Sequence, residues 1–325
     1  LEQAREIEQE IISHRRTLHG YAEVGFDLPG TTAYVTEKLR EYGYDPRTVG
    51  QGGIVCTVGK SGRTILLRAD MDALPMEEKS GESFAAVNGH CHSCGHDFHT
   101  ACLYGAAKLL AARREHLRGN VVFLFQPAEE VTQGAAAMVA HGLWDRLPCG
   151  RPDCLFGLHN RPELPRGQVA IIEGGIMSGK EHFELTLRGV AGHGGSPHKC
   201  VDVIVPAAAI VQAVQSIVSR STDPLDALVC AVLSVHAGTP ENFVPDVLTM
   251  TGAIRAHSAA VMGRAKVRLE EIAAGISAAH GCTWTLHFIP QVPPTVNSPA
   301  MTALARRAAE AVAARAPGRA DGEDW

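Results

Sequence analysis

The decapeptide His90 to His99 reads HCHSCGHDFH and gathers four histidines and two cysteines, in a chain with sixteen histidines and nine cysteines overall. Solvated loops rarely concentrate soft and borderline ligands in this way. Cys94 and His96 stand two apart, so a thiolate and an imidazole can reach one divalent ion, and zinc, manganese, cobalt and nickel all suit such donors. The same residues admit other readings. Cys94 could be a core thiol with the histidines capping a helix, or Cys91 and Cys94 could join Cys149 and Cys154 in a four-thiolate structural zinc site.

Three more segments bring acids and a histidine to the ends of apolar runs. QPAEE follows NVVFLF and supplies Glu129 and Glu130, LFGLHNRP supplies His159, and LLRADMDALP supplies Asp70 and Asp72. Two neighbouring carboxylates repel unless a cation neutralises one of them. One can then bind an ion while the other takes a proton from water. A lone Glu-Glu pair is also what an ordinary charged loop carries. Either aspartate can orient a ligand histidine from behind. Four strand ends bearing Asp, Cys/His, Glu/Glu and His favour a metal-dependent hydrolase.

These residues need a scaffold, and the pattern of the chain supplies one. Apolar positions at Leu1, Ala4, Ile7, Ile11 and Ile12 predict an opening amphipathic helix over 1–18, and a second helix is expected over 30–42. Gly53 to Val58 and Thr64 to Ala69 read as strands, 100–114 as a helix, and Asn120 to Phe125 as a strand buried on both faces. This alternation predicts an α/β layered catalytic domain over 1–178. Strand 181–188, helix 201–220, strands 227–236 and 246–254, helix 258–279 and strand 282–289 follow in the order βαββαβ. That order matches the ferredoxin-like unit and predicts an inserted second domain over 179–289. Residues 290–325 then return to the first domain with a helix over 299–315.

Composition narrows the functional classes. The 325 residues are 45% hydrophobic and 20% charged, a folded globular profile of about two domains. A net charge of −5 without runs of Lys or Arg predicts no nucleic-acid partner. The longest apolar run, Val203 to Val211, is about half the ~20 residues of a membrane-spanning helix and contains Pro206, so no membrane span is expected. The acidic first twenty residues do not read as a secretory signal. An odd number of dispersed cysteines predicts a reducing, cytoplasmic compartment.

RADMDALP, HSCGHDFHTA, FQPAEE, GLHNRP and GHGGSPH occur in this order. Together they resemble the metallopeptidase-related amidohydrolases, a family that includes hippurate hydrolase, N-acyl-amino-acid amidohydrolases and plant indole-acetyl-amino-acid hydrolases. The resemblance runs over about residues 10 to 300. It implies a zinc-peptidase-like α/β catalytic domain with an inserted ferredoxin-like lid, a homodimer formed through that lid, and two divalent ions. It implies Cys94, His96, Glu130 and His159 as metal ligands, Glu129 as general base and Asp72 as the aspartate supporting the cluster. His193 would polarise the scissile carbonyl, often across the dimer, and Asn242 and Arg255 would hold the substrate carboxylate. The implied reaction is hydrolysis of small N-acyl amino acids by an activated water.

Two features depart from the family pattern. His19-Gly-Tyr-Ala-Glu23 has Ala22 where the family has proline. Relatives also continue beyond the last helix and bring a further histidine ligand, whereas 290–325 contains none. A C-terminally truncated chain with an incomplete second part of the catalytic domain is therefore expected. Beside the enzyme stands the alternative of a catalytically inactive homologue that binds metal or ligand and dimerises.

Overall fold

A computed structural model of the chain describes residues 2–60, 62–165, 167–239 and 242–313. They form two compact units, residues 2–169 with 309–313, and residues 170–308.

The first unit opens with α1 (Glu2–Glu6) and α2 (Glu8–Tyr21), which replace the single opening helix expected from the apolar spacing. Helix α2 ends at Ala22, whose left-handed backbone (φ 36°) is closed to a proline ring. Glu23 then accepts the N–H groups of Gly30 and Thr31, at 2.8 Å each, at the start of α3 (Pro29–Glu41). A carboxylate there satisfies amides that the helix itself cannot.

Strands β1 (Arg47–Val49), β2 (Gly53–Gly59), β3 (Thr64–Asp70), β4 (Asn120–Gln126) and β5 (Cys154–Gly157) make one sheet in the order β1-β2-β4-β3-β5. Helices α4 (His96–Ala111) and α5 (Gly134–Ala140) complete the unit. Strand β4 has the double-sided burial its apolar run predicts. Phe123 and Phe125 pack with Leu18, Leu39 and Tyr104 from the helices on one face. Val122 and Leu124 pack with Met138, Leu143 and Leu147 on the other.

The sheet is mixed. β4, β3 and β5 are parallel, whereas β2 pairs antiparallel to β4. β2 and β3 are separated by a short link, yet β4 lies between them. The link crosses over the start of β4 at such close range that a Cβ on Gly119 would overlap the carbonyl of Arg63. Only glycine fits there.

The three parallel strands end at Asp70, Gln126 and Gly157 on the same edge of the sheet. Asp70 lies opposite Gln126, and Arg68 opposite Gly157. Segments 70–72, 127–130 and 158–160 therefore emerge side by side, where open α/β sheets hold ligands.

The second unit contains β6 (Gly174–Met177), β7 (Gly179–Arg188), β8 (Gly192–His193), α6 (Ile204–Ser221), β9 (Leu228–Ala237), β10 (Phe243–Val244), β11 (Val247–Ala256), α7 (Ala259–His280), β12 (Thr283–Val292) and β13 (Thr295–Asn297). Helix α8 (Pro299–Ala313) begins there, and the remainder of the expected helix 299–315 lies outside the described residues. The antiparallel sheet β12-β7-β11-β9 has the strand order of the ferredoxin-like unit. Phe183, Leu185 and Leu187 alternate along β7 and bury against Ile210, Val214 and Ile217 of α6 and Leu269 and Ala273 of α7. Strands β6 and β13 pair with each other, which keeps both linking segments with this unit.

By length and composition α6 alone among the described helices could cross a membrane. Its apolar face lies in the core of the second unit.

Candidate metal centre

Cys94 and His96 do not follow a strand, contrary to the expectation from the apolar runs. They flank Gly95, which precedes α4, and His96 is the first residue of that helix. The helix starts four residues before the expected Thr100 because its first turn is polar yet internal, with His96, Asp97 and His99 all buried.

His96 donates Nδ1–H to the carbonyl of Asp72 at 2.8 Å, which leaves Nε2 as its free donor atom. That Nε2 lies 3.5 Å from Asp70 Oδ2, 3.7 Å from Glu130 Oε1 and 3.8 Å from Glu129 Oε2. Burial alone would lower the His96 pKa, but Asp72, Cys94 and Asp70 around it raise it to about 11. Such a nest of anions calls for positive charge. A proton supplies one unit and a divalent ion two, the ion displacing the proton from His96 as it binds.

His159 follows β5 and donates Nδ1–H to the carbonyl of Asn160 at 2.7 Å, so its Nε2 lone pair faces the Cys94 sulfur at 3.5 Å. Burial lowers its pKa and favours the neutral, ligating form.

Glu129 and Glu130 occupy a turn held at both ends. Asp72 accepts both backbone N–H groups, one on each oxygen, at 3.0 Å. Ala128, fully buried, and Thr132 take left-handed backbone (φ 53° and 59°). Such conformations cost on the order of 1–3 kcal/mol in a non-glycine residue and persist where the surroundings dictate them. Burial, Asp70 and Glu130 raise the pKa of Glu129 against the pull of His96 and Arg68.

Gly134 closes this turn by donating to the carbonyl of Ala128 at 3.0 Å, and a Cβ there would overlap the Pro127 carbonyl. Gly134→Ala is expected to destabilise the protein by about 1–3 kcal/mol in denaturant unfolding. An unchanged midpoint and slope would show that the turn is built differently.

Asp97 lies behind the start of α4 and accepts hydrogen bonds from Arg15 Nε and His19 Nδ1, both at 2.8 Å. Glu78 Oε1 lies 3.0 Å from the other ring nitrogen of His19, Nε2. The opening helix is thereby tied to the ligand segment. Sequence reasoning assigned no role to this network or to the contacts of His99 and Asn160. Their signal was adjacency alone, since Asp97 follows His96, Asn160 follows His159, and His99 falls one helical turn beyond His96.

The donor atoms suit a metal. His96 Nε2 and Glu130 Oε1 are buried, and neither has a hydrogen-bond partner. A tetrahedral zinc, with Zn–S about 2.3 Å and Zn–N about 2.0–2.1 Å, places its sulfur and nitrogen roughly 3.5 Å apart, the separation of Cys94 and His159. Three groups of converging donors occur among the described residues: Cys94, His96 and His159; His96, Glu129 and Glu130; and Asp70, His96 and His99. None includes Cys91, Cys149 or Cys154, so the four-thiolate arrangement finds no geometry here.

In the second unit, His193 and Asn242 come together. β8 pairs with β10, and Asn242 Nδ2 lies 3.2 Å from His193 Nε2. Arg255 does not join them. It stands near the far end of β11, opposite Lys180 and Val229.

A model of peptidase family M20/M25/M40 matches residues 66–324. N-acetyl-L-cysteine deacetylase of Bacillus subtilis is 36% identical over 307 residues, covering 93% of this chain and 73% of the relative. N-acyl-L-amino acid amidohydrolase of Geobacillus stearothermophilus is 36% identical over 297 residues, covering 90% and 79%. The solved structure of the YXEP protein of Bacillus subtilis, described as a dinuclear metal-binding peptidase of the M20 family, superposes with a TM-score of 0.83. It is 31% identical, and the match covers 95% of this chain and 81% of that one.

Proposed function

The chain belongs to peptidase family M20/M25/M40, and from that premise we propose that it is a metal-dependent amidohydrolase that releases the amino acid from small N-acyl amino acids. The observation that carries this reading is that His96, whose buried Nε2 has no partner, joins Cys94 and His159 in one group of converging donors and Glu130, whose Oε1 is likewise buried and unpartnered, in another, beside a second glutamate.

Cys94, His96, Glu130 and His159 would hold a cation, and a second ion is carried over from the dinuclear M20 relative. A divalent ion supplies Lewis acidity, making water more acidic and polarising the amide carbonyl. The thiolate of Cys94 favours zinc or cobalt, while the carboxylates also suit manganese or nickel. Glu129 takes the proton from the attacking water and returns it to the departing amine. Its side chain is 42% exposed against 18% for Glu130, which fits a base open to substrate beside a ligand turned inward. Asp72 fixes both glutamates by holding their backbone amides. His193 donates to the carbonyl oxygen as negative charge develops, and Asn242 and Arg255 hold the substrate carboxylate.

The lid supports a homodimer. Arg255 lies about 27 Å along β11 from Val247, the end nearer Asn242, at about 3.4 Å per residue. One lid serving one small substrate with both ends is hard to arrange, whereas two copies can each lend one end. β9 is an edge strand with Val229, Leu233 and Val235 exposed, as a pairing surface requires. Nine free cysteines support a reducing compartment, the cytoplasm.

The test is release of free amino acid from a panel of N-acetyl, N-benzoyl and N-indole-acetyl amino acids, with manganese, zinc, cobalt and nickel added separately. Metal-dependent turnover is expected. Stoichiometric metal binding without release from any of them would favour the non-catalytic binding and dimerisation protein.

A further inference from the structure

Asn160 touches both halves of the ligand set without being a ligand itself. It follows His159, and its carbonyl takes the Nδ1–H of that ring at 2.7 Å. Its side-chain oxygen lies 2.7 Å from His99 Nε2, and its backbone nitrogen lies 3.1 Å from the same atom. The other nitrogen of His99 is held by the buried Asp70 carboxylate at 2.6 Å, and Arg68 secures that carboxylate at 2.7 Å.

The Asn160 amide also rests on the backbone between Cys94 and His96. A Cβ at Gly95, whose φ is 85°, would come within 2.7 Å of its amide carbon. Strand β5 itself pairs over only four residues, and only with β3. The His159 ring also meets the His99 ring edge-on, with centroids 4.6 Å apart.

We propose that Asn160, gripped by His99 and seated on Gly95, is the positioning residue that sets where the His159 imidazole meets Cys94, and so decides how tightly the site holds a divalent cation. This rests on the reading of the site given under the proposed function. Partners behind a ligand ordinarily tune metal affinity by about 10–100-fold. Here the partner acts on the approach of two ligands carried by different elements.

Cobalt(II) alone is the probe, followed through its thiolate charge-transfer absorption during titration of the apo protein. Asn160→Ala is expected to weaken cobalt binding by about 10–100-fold while far-UV circular dichroism and the thermal midpoint stay near those of the wild type. Asn160→Asp, which keeps an oxygen for the His99 N–H, is expected to recover most of that affinity. If activity is present, the defect should be relieved by excess metal. Cobalt affinity in Asn160→Ala within twofold of the wild type would overturn the proposal, as would an equal loss in Asn160→Asp. A wild-type protein with no thiolate–cobalt band would overturn the metal-site reading itself, an outcome distinct from both.

Discussion

Glu129→Gln should bind metal as the wild type does and hydrolyse N-acyl amino acids about 10²–10⁴-fold more slowly, the usual contribution of a general base. The substitution keeps the length and hydrogen-bonding reach of the side chain and removes only its capacity to take a proton. The turn should survive, because it is held by backbone groups: Asp72 grips the N–H groups of Glu129 and Glu130, and Ala128 is fixed through Gly25 and Gly134. Metal content by atomic emission together with kcat checks both halves. Wild-type turnover in this variant would remove Glu129 from the chemistry. Loss of metal would make it a ligand.

His96→Ala should have the opposite signature, with bound metal lost and activity lost along with it. His96 is common to all three donor groups, whereas Cys94 and Glu130 each belong to one. Its removal takes away the one nitrogen donor that the three groups share, so added metal recovers poorly. The expected loss of affinity exceeds the roughly 100-fold that marks the upper end for an outer partner. Equilibrium dialysis against zinc measures it directly. An unchanged stoichiometry at micromolar free zinc would show that the ions sit elsewhere.

Much of the scaffold was legible in the sequence because its strands and helices carry strong patterns. NVVFLF had to be a strand covered on both sides, and the βαββαβ succession of the second unit shows in its alternation alone. The site was legible as a set of residue types at the ends of apolar runs.

Its assembly was less legible. The start of α4 reads as a polar loop, and only tertiary contacts reveal that His96, Asp97 and His99 are internal. Nothing in a linear reading shows that β4 slips between β2 and β3, because the sole trace is a glycine at 119 that also fits an ordinary turn. Asp72 was expected to support the cluster, and the manner of support, through two backbone amides 57 and 58 residues away, has no sequence signature. Arg255 was grouped with Asn242 by the family resemblance, and the strand register places them toward opposite ends of β11.

The grip of Arg15 and His19 on Asp97 has a practical corollary for anyone trimming the protein. Those first two dozen residues look dispensable, since they contribute no strand to the sheet and no ligand atom. Yet they brace the very turn from which His96 projects. Shortening the polypeptide from that side would loosen the cation's seat and, once it reached Leu18, uncover the core face of β4 as well, so that end carries fold and function together.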